Sequence, residues 1–190
     1  MSAILAGTLF IVSDLLDLAT GFDGFGTKNL GGEPWPAISA IQSGLTLLAG
    51  LLLLVGLAGL YFWQSEDGGL LGVVGFLVAF YGTVMAVGAF WANAFVAPSL
   101  AREELRFLDA APPTALAAGF TLSYGSVALG WLLFGASTLR TGLYPRQASV
   151  LLMIGAALTW LPLPLSGVPF SIAVAWMGYA LFCGKEANDE

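Results

Sequence analysis

The chain has no histidine, one cysteine, and formal charge on only 9% of its residues. Each shortage removes a class of function. Without imidazole there is no His-ligated haem, no His-rich metal site and no histidine general base. Cys183 has no partner for an internal disulfide, so cysteine usage does not report a redox compartment. At the end of an apolar segment it reads as a small buried residue rather than an acylation site. The phosphate-binding GxxxxGK, the GxSxG nucleophile elbow and the zinc-binding HExxH are all missing. Phosphoryl, acyl and zinc chemistry therefore lack their usual residues. The expectation is a non-catalytic protein with no catalytic residue, no metal and no identified cofactor. Six bases against twelve acids leave a net charge of −6. That balance gives no basic footprint for nucleic acid, and it disfavours docking of the surface as a whole on anionic headgroups.

What is abundant is apolar. Hydrophobic residues make up 58% of the 190-residue chain and mean hydropathy is +0.87. A soluble domain carries about 25% charged residues, and a chain this short could not hide so much apolar surface in a water-soluble core. Composition alone points to an integral membrane protein.

The strongest segment is Ile38–Ala97. It reads ISAIQSGLTLLAGLLLLVGLAGLYFW, a polar knot QSEDGG, then LLGVVGFLVAFYGTVMAVGAFWANAFVA. Each arm exceeds the roughly 20 residues that a helix needs to cross a hydrocarbon core of about 30 Å. The only charges inside it are Glu66 and Asp67, both in the knot. A segment in lipid must satisfy its own backbone hydrogen bonds, so the arms read as a transmembrane helical hairpin.

Taken in order, the chain predicts an all-α bundle of six spans: 3–20, 37–63, 69–97, 114–138, 148–161 and 170–183, with a charged tail over 184–190. The first span lacks a basic lead and carries two aspartates, so it is expected to stay rather than be cleaved. Between the first two spans, GFDGFGTKNLGGEPWP has loop composition, with Trp35 placed for the headgroup level. After the third, SLAREELRFLDAAPP has a Ser99 cap, Glu103 and Glu104 in the first turn, and apolar Ala101, Leu105 and Leu108. That spacing predicts a short amphipathic helix lying in the interface.

Six spans put both termini on one side. Bases then divide equally: Arg140, Arg146 and Lys185 on the terminal side, Lys28, Arg102 and Arg106 opposite. The short loop LRTGLYPRQ carries two arginines and no acid, and by the positive-inside rule it places that side, with both termini, in the cytoplasm. The expected location is the cell membrane.

The candidate site is a polar intramembrane cluster of Asp14, Asp17, Gln42 and Asn93. Acids inside a span are expensive and often functional. Asp14 and Asp17 are three residues apart and share one helical face. Gln42, with Ser43 beside it, and Asn93 are uncharged polar residues at membrane depth near the same end. Such residues more often act as interhelical glue worth about 0.6 kcal/mol each. Glycines are frequent in the third and fourth spans, Gly68-x-x-x-Gly72 among them. Small residues let helix backbones approach one another, or leave grooves for lipid or pigment tails. The aromatics Phe90, Trp91, Phe95, Trp131, Trp160 and Trp176 are placed for interface belts. GLYFWQ (59–64) and GLYPRQ (142–147) share four of six residues. A transporter-like repeat would pair the second and third spans with the fourth and fifth, but recurrence of aromatic and polar residues at interfaces explains the echo more simply.

The knots GLYFWQSEDGG and LRTGLYPRQ, each between apolar spans, resemble those of a family of small prokaryotic multi-pass membrane proteins. The resemblance covers Ile38 to Leu152. It implies the six-span count and no activity or site residue.

The functional expectation is an accessory or structural subunit packing against a larger membrane complex, with the lipid bilayer and membrane proteins as partners and no nucleic acid. The alternatives are a small-solute or ion carrier using Asp14 and Asp17, and a lipid- or pigment-binding membrane protein.

Overall fold

The computed structural model describes residues 1–20, 37–96, 114–161 and 165–186. Among these there is no strand. The helices are α1 (Ser2–Thr20), α2 (Ala37–Gln64), α3 (Gly69–Trp91, continued by a π-helical turn Ala92–Val96), α4 (Thr114–Thr141), α5 (Arg146–Leu158) and α6 (Val168–Glu186). The interfacial helix expected after Ser99 and the loop carrying Trp35 lie outside the described residues.

Four helices are long and apolar enough to cross a membrane: α1, α2, α3 with its π turn, and α4. The fifth and sixth are apolar but shorter by that measure. At about 1.5 Å per residue, the 13 residues of α5 reach only about 20 Å. The expectation of six full spans is therefore met for four. The reason is local: Pro145 fixes the start of α5, and its last turn closes where Thr159 Oγ1 donates to the Ala156 carbonyl. Other boundaries move from their expected places as well. Helix α4 runs on to Thr141 because the hydroxyls of Thr138 and Thr141 bond back to the carbonyls of Gly135 and Thr138. The third span turns π-helical at Ala92 and is described only to Val96. The sixth helix begins at Val168, where the Val168 N–H reaches the Leu165 carbonyl and Pro169 falls in the first turn, a position proline tolerates.

Each helix packs on its neighbours in the chain, and α6 returns to α1, so the six form a closed ring. Close-packed pairs hold one antiparallel register along their length. Between α3 and α4, Gly75 meets Phe134, Gly82 meets Val127 and Ala79 meets Gly130. A Cβ on Gly130 would lie 2.2 Å from the backbone nitrogen of Ala79, and one on Gly82 would lie 2.4 Å from that of Val127. Only glycine permits that approach. Gly68 and Gly72 both border the Ser137 hydroxyl, and Gly68 lies in the turn before α3, so the sequence motif serves one helix contact from a loop and a helix end.

The centre of the ring is filled by Leu53, Leu57, Trp131, Phe134, Leu152, Phe170, Val174 and Met177, all buried. Trp131 stands edge-on to Phe134 and to Phe170, with ring centroids 5.7 and 4.9 Å apart. Its indole N–H donates to Thr83 Oγ1 at 3.1 Å, and Thr83 in turn donates to the Ala79 carbonyl. Trp131 was expected at an interface belt; its hydrogen-bonded N–H allows it to sit fully inside instead. Trp91, Trp160 and Trp176 are exposed. Cys183, expected to be buried, is exposed: it follows Trp176 and Tyr179 along the outward face of α6.

Candidate functional site

Helices α1 and α2 run antiparallel, with Ala3 against Gly56, Ser13 against Thr46 and Asp17 against Gln42. This single register carries the polar residues of the two helices to one end of the bundle. The Gln42 side-chain amide donates to Asp17 Oδ1. One turn deeper, the Ser13 and Thr46 hydroxyls bond at 2.6 Å, and Thr46 donates to the Gln42 carbonyl at 3.0 Å. Gln42 and Ser13 are buried at 5% and 3% exposure.

Asp14 turns toward α6. Its Oδ2 is buried, lies 3.0 Å from where a Cβ on Gly167 would be, and has no hydrogen-bond partner among the described residues. Gly167 directly precedes α6, so the carboxyl stands beside the positive end of that helix dipole, where negative charge is favoured. Gly167 also provides the room, since any side chain there would meet Asp14.

The structure thus joins three of the four candidate residues around one end of α1. Asp17 and Gln42 are bonded directly, and Asp14 sits one turn deeper on the same helix face. Asn93 lies in the π-helical turn that packs against α2. No hydrogen bond links it to the other three among the described residues. Ser43 is buried next to Gln42. Asp17 with Gln42 and Ser13 with Thr46 form two hydrogen-bonded pairs between α1 and α2, while Asp14 faces the start of α6. Among the described residues no three His, Cys, Asp or Glu side chains come together.

The opposite end holds polar groups that the sequence reading passed over. Gln64, the first residue of the polar knot, is 0% exposed, and neither atom of its amide has a hydrogen-bond partner among the described residues. The Ser149 hydroxyl is buried and unpaired as well. Tyr144 closes this end by donating its hydroxyl to the Leu60 carbonyl at 2.8 Å, and burial pushes its pKa up from the ordinary value. The signal was the GLYFWQ and GLYPRQ echo, because its two copies touch here. They are not equivalent. The first is helical through Gln64, whereas the second spans the turn into α5, with Gly142 at φ +67°. Gln64 is buried and Gln147 exposed. That disparity fits chance recurrence rather than a repeat.

Comparison with protein-family models, with curated proteins and with solved structures gives no match.

Proposed function

We propose that the protein is a non-catalytic multi-pass membrane protein that serves as an accessory subunit, packing against a larger membrane assembly through the outward face of α2. In this reading all six helices are membrane-embedded and both termini are cytoplasmic. The observation that carries it is the placement of Gly44 and Gly59. Both are exposed on α2, and among the described residues nothing lies within 4 Å of where their Cβ atoms would be. On a helix they share one face with Ile41, Leu48, Leu51, Val55 and Phe62, all exposed. A glycine inside a helix costs about 0.5–1 kcal/mol relative to alanine. Gly82 and Gly130 offset that through close contact within the chain, while Gly44 and Gly59 have no such contact. A small-residue face with large apolar side chains between is what a second helix packs against in lipid. The filled centre of the ring also favours packing over passage, since Trp131, Phe134 and Phe170 stand between the two polar ends.

The test is native mass spectrometry after mild extraction. The reading expects a complex of fixed stoichiometry, released by Gly59→Leu without loss of the bundle's thermal stability. A lone monodisperse protein, or a complex indifferent to Gly59→Leu, contradicts it.

A second reading, a carrier of protons or small cations, draws on the Asp17–Gln42 bond and the unpaired buried oxygen of Asp14. Flux into proteoliposomes decides it: wild type should transport and Asp14→Asn should not. Equal flux from both, or none from either, removes it.

A further inference from the structure

Helix α5 carries a groove that combines a cationic end with an apolar track. Its volume is about 690 Å³, and it is lined by Arg146, Gln147, Val150, Leu151 and Ile154. That size lies within the roughly 300–1,000 Å³ of small-molecule sites. The lining residues follow helical spacing, so they form a single stripe up α5. Arg146 and Gln147 are exposed at its foot, Val150 and Ile154 are exposed above them, and Leu151 is half-buried.

The foot of this stripe lies just beyond the apolar window of α4, which in a bilayer is headgroup level. The apolar window of α4 closes at Thr141, and the turn that follows leads directly into Arg146. Arg140, exposed in the last turn of α4, supplies a second guanidinium to the same loop. Neither arginine makes an ion pair among the described residues. The backbone N–H groups of Arg146 and Gln147 open α5 with no side-chain cap, while those of Ala148 and Ser149 turn back to the Pro145 carbonyl. Two guanidinium groups and a helix N-terminus favour negative charge there. The net charge of −6 does not oppose this, because exposed charges are screened beyond about 8 Å at physiological ionic strength. Of the acids at this end, Glu66 and Asp67 sit on the α2–α3 turn, which meets Ser137 of α4, and Glu186 ends α6.

We propose that this groove binds an anionic glycerophospholipid, with its phosphate at Arg146 and one acyl chain laid along Val150, Leu151 and Ile154. The shortness of α5 supports the assignment. At about 20 Å it falls about 10 Å short of a hydrocarbon core, and a lipid seated along it fills the surface that a longer helix would cover. The inference rests on the bundle lying in a bilayer with the α4–α5 turn at headgroup level, and it is independent of the partner face on α2.

The test is native mass spectrometry of the full chain, alone or in complex, titrated with phosphatidylglycerol, phosphatidylcholine or inorganic phosphate. Retention of phosphatidylglycerol is expected to exceed that of phosphatidylcholine about fivefold, which is what about 1 kcal/mol for one arginine near the surface amounts to. Arg146→Gln should lower that preference and leave phosphatidylcholine unchanged. Ile154→Trp, which fills the groove, should lower retention of both lipids, whereas Leu129→Trp on the exposed face of α4 should lower neither. Equal retention of the two lipids by wild type overturns the proposal. So does an unaltered preference in Arg146→Gln, an equal effect of the two tryptophans, or competition by inorganic phosphate as strong as by lipid. Variants enter the comparison at wild-type thermal stability, so a failure to fold is not read as a failure to bind.

Discussion

The Tyr144 hydroxyl, in the turn between α4 and α5, donates to the carbonyl of Leu60 in the last turns of α2, 84 residues earlier and 2.8 Å away. This bond ties together the two polar knots that flank the apolar spans. It also seals one end of the ring over Leu57 and Leu60, both buried.

Tyr144→Phe should lower stability by about 1 kcal/mol, the net worth of a neutral hydrogen bond. The same bond has a pH signature. Burial raises the folded pKa of Tyr144 above its value of 10 in the unfolded chain. The contribution of this residue to stability is therefore complete below pH 10 and is lost as pH rises past 10, because the unfolded state then releases a proton that the folded state keeps. Absorbance at 295 nm should show Tyr144 as phenol at about pH 11, where an ordinary tyrosine is mostly phenolate. Tyr144→Phe should accordingly leave the phenolate signal of the folded protein unchanged at that pH. A drop of one tyrosine's worth in that signal would mean that Tyr144 ionises normally and the seal is open.

Glycines on the two sides of the ring should answer substitution with opposite signs. Gly130→Ala places a Cβ against the backbone of α3, and overpacking of this kind costs about 1–3 kcal/mol. Gly59→Ala adds a methyl in open space and should stabilise α2 by about 0.5–1 kcal/mol. Thermal unfolding in detergent compares them directly. Similar shifts for both would mean that α3 and α4 do not approach as closely as described.

Asp17 and Gln42 should show positive coupling. A double-mutant cycle with Asp17→Ala and Gln42→Ala is expected to give about 0.6 kcal/mol, and no more than about 1.7, the range measured for side-chain pairs between membrane helices. Zero coupling would leave the α1–α2 register resting on Ser13–Thr46 and the Ala3–Gly56 contact alone.

Much of this architecture could be read from the sequence. Helix class, the hairpin about QSEDGG and the first two helices follow from apolar length and breaks in charge, which are local properties. Asp14, Asp17 and Gln42 were identifiable because a polar residue in an apolar run stands out. Their grouping depended on the antiparallel register of α1 and α2, and the hairpin turn count gave the right end. Asn93 was grouped with them by depth alone. Depth does not fix the direction a residue faces. Trp131 and Cys183 were misplaced for one reason: in lipid both faces of a helix are apolar, so hydropathy cannot tell inside from outside. Gln64 was missed because its burial comes from tertiary packing, which hydropathy along the chain does not report. The lengths of α5 and α6 were the least legible, since Pro162, Pro164 and Pro169 mark a break without saying how deep in the membrane it lies.

The proposal that all six helices of the ring cross the membrane is tested most directly by cysteine accessibility. With Cys183→Ser as background, single cysteines at Glu66, Gly142 and Ser166 are labelled by an impermeant maleimide from either side of sealed vesicles. The account predicts that positions 66 and 142 label from one side and position 166 from the other, because α5 carries the chain across and α6 returns it. Absence of labelling at position 166 from both sides, or labelling from the same side as position 142, would make α5 and α6 a re-entrant pair and contradict the ring as a six-span assembly.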